Sequence, residues 1–109
     1  MEKTVEQALI IEFNQKTDID SIHEFGNKVA DIFKNKNLGE YDGHEYCADL
    51  SHGTFYMYGE SADEMIKGIR KIIGATPFLH KGVYTLRYGS IEDDAEEKKF
   101  RILVESEMN

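Results

Sequence analysis

The chain has 109 residues, 40% of them hydrophobic, a size that suits one domain able to bury about two-thirds of its unfolded surface on folding. Twenty-one acidic residues against 13 basic ones give a net charge of −8, which repels phosphate backbones and anionic lipid surfaces and attracts basic partners. The lone Cys47 cannot bridge within the chain, "MEKTVEQALI" has neither a basic start nor a long apolar run, and no apolar stretch approaches the ~20 residues of a membrane span. The expectation is a single domain over residues 1–109, in a cytoplasmic setting, with no membrane or nucleic-acid partner.

In "VEQALIIEFNQ", Leu9, Ile11 and Phe13 fall on one side of an extended chain, with Ala8, Ile10 and Glu12 on the other. This predicts a strand. Ile22, Phe25, Val29, Ile32 and Phe33 then recur at helical spacing, with Thr17 or Asp18 placed to cap the start and Gly39 just beyond the end. The stretch "YDGHEYCADLSHGTFYMYG" reads as two extended runs divided by Ser51, His52 and Gly53, with Gly53 supplying the turn conformation.

A second helix follows from the capping-box pair Ser61 and Glu64 and the stripe Met65, Ile66, Ile69, Ile72 and Ile73, ended by Gly74 and Pro77. Asp63 and Lys67 are spaced to form an exposed ion pair on it. "GVYTLRYG" and "KKFRILVE" are two further strands separated by an acidic connection. Two helical stripes must be covered by one sheet. The simplest solution is an α+β, ferredoxin-like βαββαβ sandwich with both helices on one face of an antiparallel sheet and an additional C-terminal strand.

The histidines and carboxylates near residue 44 invite a search for chemistry. A zinc site needs four converging ligands, and only His44, Cys47 and His52 are of the usual types, so no metal and no cofactor are expected. Cys47 beside a histidine evokes a nucleophile and its base, but neighbours on a strand rarely reach each other, and a small, buried or half-buried thiol in a strand is the simpler reading. His23, His52 and His80 are expected in solvent. Asp42 and Gly43 read as a tight turn, and Asp42, His44 and Glu45 form a polar cluster beside it whose alternative role is proton transfer.

The sheet side away from the helices is more informative. If Phe55 and Met57 face the helices, Thr54, Tyr56 and Tyr58 face away, joined by Ala8, Ile10 and Glu12 and by Val83, Thr85 and Arg87. Tyrosines, branched apolar residues and an isolated arginine are the composition of an interface centre. Stacked RNA bases are the rival occupant, but the basic glycine-aromatic motif of RNA-recognition modules is missing and the net charge opposes it.

The segments "GEYDGHE", "FYMYGESADEM" and "TLRYG" resemble a family of small bacterial proteins with D-G-x-E, Y-G-x-x-A-D and L-R-Y-G segments. The resemblance covers approximately residues 39–89 and implies a shared fold and no activity. The expectation for function is therefore an acidic interaction module, a homo-oligomer through Ile10, Glu12, Tyr56, Tyr58 and Arg87, with an inhibitor-like role toward a basic protein partner. The alternative is a small-molecule binder or enzyme of the dimeric α+β barrel type, with a cavity on the open sheet face and Arg87 orienting an anion.

Overall fold

The computed structural model describes residues 6–90 and 94–102. It is a mixed α+β structure in which strands β1 (Gln7–Phe13), β2 (Glu40–Tyr46), β3 (Gly53–Gly59), β4 (Val83–Arg87) and β5 (Glu97–Arg101) form one antiparallel sheet in the order β2-β3-β1-β4-β5. Helices α1 (Ile19–Lys36) and α2 (Ala62–Gly74) connect β1 to β2 and β3 to β4, and a 3₁₀ turn, Pro77–Leu79, follows α2. Residues 91–93 of the acidic connection and 103–105 of the run expected as the last strand lie outside the described residues.

Local chemistry sets the helix ends. Asp18 caps α1 by accepting a hydrogen bond from the Ser21 amide at 2.7 Å, and Ser61 caps α2 by accepting from the Glu64 amide at 3.1 Å. At the other end of α1, Asn37 takes the left-handed conformation (φ 54°), so the chain turns there before Gly39 is reached. The pair expected between Asp63 and Lys67 does not form. Lys67 meets Glu64 at 3.6 Å instead, while Asp63 accepts a hydrogen bond from the Tyr88 hydroxyl at 2.8 Å.

Register alternation places Leu9, Ile11 and Phe13 beside Phe55, Met57 and Leu86, and these join Ile22, Phe25, Val29 and Phe33 of α1 and Met65, Ile66, Ile69 and Ile73 of α2 in one core. Aromatic rings knit its centre. Phe55 lies 4.9 Å from Phe25, 5.8 Å from Phe13 and 6.3 Å from Phe78, centroid to centroid. Burial of such side chains contributes about 25 cal/mol per Å², which makes this cluster the main source of stability. β5 lies outside that cover: all five of its residues are exposed, and Phe100, stacked on Tyr84 at 5.1 Å, remains 42% accessible.

Two turn assignments change. Asp42 and Gly43 are not a tight turn but a bulge inside β2, where the register with β3 slips between Tyr41 and Gly43 and Gly43 takes φ 119°. In the β2–β3 connection the positive φ falls on Leu50 (63°), with Leu50 N–H donating to the Cys47 carbonyl at 2.8 Å. Gly53 is already in the strand. Its requirement is space, because a Cβ there would stand 2.5 Å from the Glu45 carbonyl oxygen and 2.7 Å from the Phe13 ring. Sequence spacing carries no information on such a cross-strand approach.

Candidate functional site

Successive residues of a strand point to opposite sides, so the register assigns a second face with the core face removed. Read across the sheet from β2 to β5, one row is Glu40, Tyr58, Ala8, Arg87 and Glu97. The next is Gly43, Tyr56, Ile10, Thr85 and Lys99, and the third is Glu45, Thr54, Glu12, Val83 and Arg101. Ile10, Glu12, Tyr56, Tyr58 and Arg87 thus share one surface. Its middle columns are mostly tyrosine, threonine and aliphatic residues; its charges lie on the outer strands, Glu12 and Arg87 excepted.

The covering of this face is uneven. Ala8 is fully buried and Thr85 only 5% accessible because larger neighbours flank them, whereas Ile10, Tyr56, Tyr58, Val83 and Arg87 are half-buried and Glu12 is exposed. Tyr56 is held in place by its hydroxyl, which donates to Glu45 Oε1 at 2.5 Å. That bond to an anionic acceptor, then burial, raises the Tyr56 pKa above the ordinary phenol value. Arg87 donates from Nε to the Gly89 carbonyl at 2.8 Å, which braces the guanidinium beside the strand end.

The polar cluster of Asp42, His44 and Glu45 does not converge. The bulge leaves Asp42 exposed, Glu45 points to the open face toward Tyr56, and His44 points the other way, to α1. His44 Nδ1 is hydrogen-bonded to the Tyr41 hydroxyl, its ring is 5.3 Å from His23 and 5.6 Å from Phe55, and the Tyr41 hydroxyl approaches Gly26 of α1 closely enough that a Cβ there would be 2.6 Å away. His23 is exposed, as expected, but in ring contact with His44. Burial pushes the Tyr41 hydroxyl up to about 12. Burial, and then the neighbouring His23, push His44 down. The Tyr41–His44 hydrogen bond and the ring contact with His23 fasten α1 to the β2 edge, and among the described residues no carboxylate is hydrogen-bonded to His44 to complete a proton relay.

Cys47 lies past the end of β2, half-buried, and not within a strand. Its amide donates to the His52 carbonyl at 2.9 Å, while Ser51 donates to Asp49 from both Oγ and the amide. Those Ser51 bonds, side chain first, hold the Asp49 carboxyl down at about 2. His80, expected in solvent, is half-buried with Nε2 at 3.0 Å from the Gly74 carbonyl. Among the described residues no group of three or more His, Cys, Asp or Glu side chains is placed to hold a metal ion, and no helix is long and apolar enough to cross a membrane.

Two hollows lie away from the open face's centre. One, of about 260 Å³, runs between α2 and β4–β5 and is lined by Ile66, Arg70, Ile73, Tyr84, Phe100 and Ile102 among others. The other, of about 270 Å³, sits at the C-terminal end of α1 and gathers Glu6, Glu40 and Glu60 around Tyr58. Sequence reading did not bring either together, because each is assembled from segments distant in the chain. Comparison with protein-family models, curated proteins and solved structures gives no significant match.

Proposed function

We infer that the protein is an interaction module of ferredoxin-like architecture that forms a homodimer through its open sheet face. The architecture is supported by β1 lying between β3 and β4 with β2 outside β3, and by the stripes of both helices sharing one core with the inward side of those strands. The observation that carries the dimer is the open face itself: Ile10, Tyr56, Tyr58, Val83 and Thr85 are contiguous across three strands, and charge is concentrated on the flanking strands β2 and β5. An apolar, aromatic centre within a charged rim is the anatomy of a protein interface.

The alternative surfaces fit less well. Both sheet edges are blunted against strand addition, β2 by its bulge and its acidic residues and β5 by Lys98, Lys99 and Arg101. The outer faces of α1 and α2 carry exposed charges, including the Lys28–Glu24 and Lys67–Glu64 pairs. A basic protein remains the partner favoured for the dimer's acidic exterior, on the net charge of −8 and on the hollow formed by Glu6, Glu40 and Glu60.

Sedimentation equilibrium over micromolar to millimolar protein tests the dimer. Wild type is expected to dimerise and Ile10→Lys, which places a charge at the centre of the face, to be a folded monomer by circular dichroism. A wild-type monomer throughout that range, or an Ile10→Lys dimer of unchanged affinity, would overturn the reading.

A further inference from the structure

The open face also constrains how two copies meet. Two sheets stacked face to face about β1 can be related by a twofold axis running along the strands or by one running across them. The first sets the β2 edge of each copy over the partner's β5 edge. The second sets β2 over β2 and β5 over β5. On the open face β2 contributes Glu40 and Glu45 with no cation, whereas β5 contributes Lys99 and Arg101 against Glu97, and β4 adds Arg87.

We propose that the face takes a second copy of this chain about a twofold axis parallel to β1, so that each acidic β2 edge lies against the partner's basic β5 edge. The inference rests on the dimer proposed above. Packed sheets stand about 10 Å apart, close to the Debye length of about 8–10 Å, so the summed charge of each strand decides more than any single row. On that scale the strand-parallel axis opposes an anionic column to a cationic one at both edges. The crossing axis opposes β2 to β2, β4 to β4 and β5 to β5, each pair bearing like net charge.

Individual residues agree in part. About the strand-parallel axis Glu45 faces the partner copy's Arg101 residue, and Tyr58 faces the partner copy's Arg87 residue, where a guanidinium can stack on the phenol ring. Tyr56 faces Thr85, and Ile10 packs on its own symmetry mate at the centre. Glu12 also meets its mate and Glu40 meets Glu97, costs that both sit toward the ends of the strands. The crossing axis has the same number of like-charged row contacts, pairing Glu40 with Glu45 and Lys99 with itself, and sets Arg101 over Glu97 and Arg87 over Val83, so among the rows only the Tyr58–Arg87 contact separates the two axes.

Reversing Glu45 separates the two axes because it predicts opposite signs, whereas Arg101 faces an acidic residue about either axis and serves as the partner for rescue. Glu45 faces Arg101 in one arrangement and Glu40 in the other, so Glu45→Lys weakens the strand-parallel dimer and tightens the crossing one. The dimer Kd is measured by sedimentation equilibrium at low ionic strength for wild type, Glu45→Lys, Arg101→Glu and the double variant. Each single reversal is expected to raise Kd at least about fivefold, two symmetric rim pairs being lost, and an equimolar mixture of the two singles, like the double variant, to recover to within about twofold. Tighter or unchanged dimerisation of Glu45→Lys, or a double variant as weak as the sum of the singles, overturns the axis while leaving the dimer standing. A monomeric wild type overturns both.

Discussion

Replacing Gly53 by alanine adds one methyl group at a point where two strands and a phenyl ring leave no room for it. The new Cβ would stand 2.5 Å from the Glu45 carbonyl oxygen, a backbone atom, and 2.7 Å from two atoms of the Phe13 ring. Either β2 must move from β3 or Phe13, which is 2% accessible and packed edge-on against Phe78, must leave its rotamer. Forcing a methyl group into a packed core costs about 1–3 kcal/mol, and the loss of glycine's freedom in the unfolded chain returns about 0.4–1 kcal/mol. The net expectation is a loss of about 1–2 kcal/mol. At about 4–8 °C per kcal/mol for a domain near this size, the melting temperature should fall by about 5–15 °C.

Urea denaturation followed by circular dichroism reads this directly, with an unchanged m-value expected because the exposed surface does not change. Adding Phe13→Leu should not restore stability, since the Glu45 carbonyl still opposes the methyl group and a core ring is lost. Gly43→Ala is the comparison. Nothing lies within 4 Å of its Cβ position, so its cost is the φ of 119° alone, about 1–3 kcal/mol of backbone strain with no packing partner to relieve it. A Gly53→Ala variant as stable as wild type, or more stable, would refute the close approach of β2, β3 and Phe13.

Asn37→Ala should destabilise by about 1 kcal/mol in the same assay, because alanine lacks asparagine's tolerance of the left-handed cap, while Asn37→Gly should change stability by no more than a few tenths. Equal effects of the two would show that the cap does not set the end of α1. His44 gives a pH dependence whose sign follows from its lowered pKa: the unfolded chain binds the proton more readily, so the His44 contribution is present above about pH 6.5 and is lost as pH falls below it toward the folded value. Stability of wild type relative to His44→Gln, measured from pH 8 to pH 5, should therefore decline on acidification. A difference that grows instead would contradict a neutral His44 held under α1.

Most of the element order was legible in the sequence because it depends on short-range patterns. The stripes of α1 and α2 are core stripes, Asp18 and Ser61 cap as their spacing suggests, and the alternation in "LIIEF" and "TFYMY" divides inward from outward residues. The bulge at Asp42–Gly43 was not legible, since aspartate followed by glycine also suits a turn and only pairing with β3 distinguishes the two. Tyr88 shows the same limit. Its hydrogen bond to Asp63, which pushes its pKa up to about 12, joins α2 to a strand end far along the chain and competes with the local pair expected for Asp63.

Sequence by itself determined the acidic net charge, the two amphipathic helices and the alternation along β1 and β3, since these follow from composition and from periods of 3.6 and 2. Tertiary structure decided which strands are neighbours, and with that which residues make the open face: Arg87 beside Ala8, Tyr56 beside Ile10, and Glu45 within reach of Tyr56. It also parted His44 from Asp42 and Glu45. Adjacency between strands is set by where the helices lay the chain down over the core, and local periodicity holds no record of that.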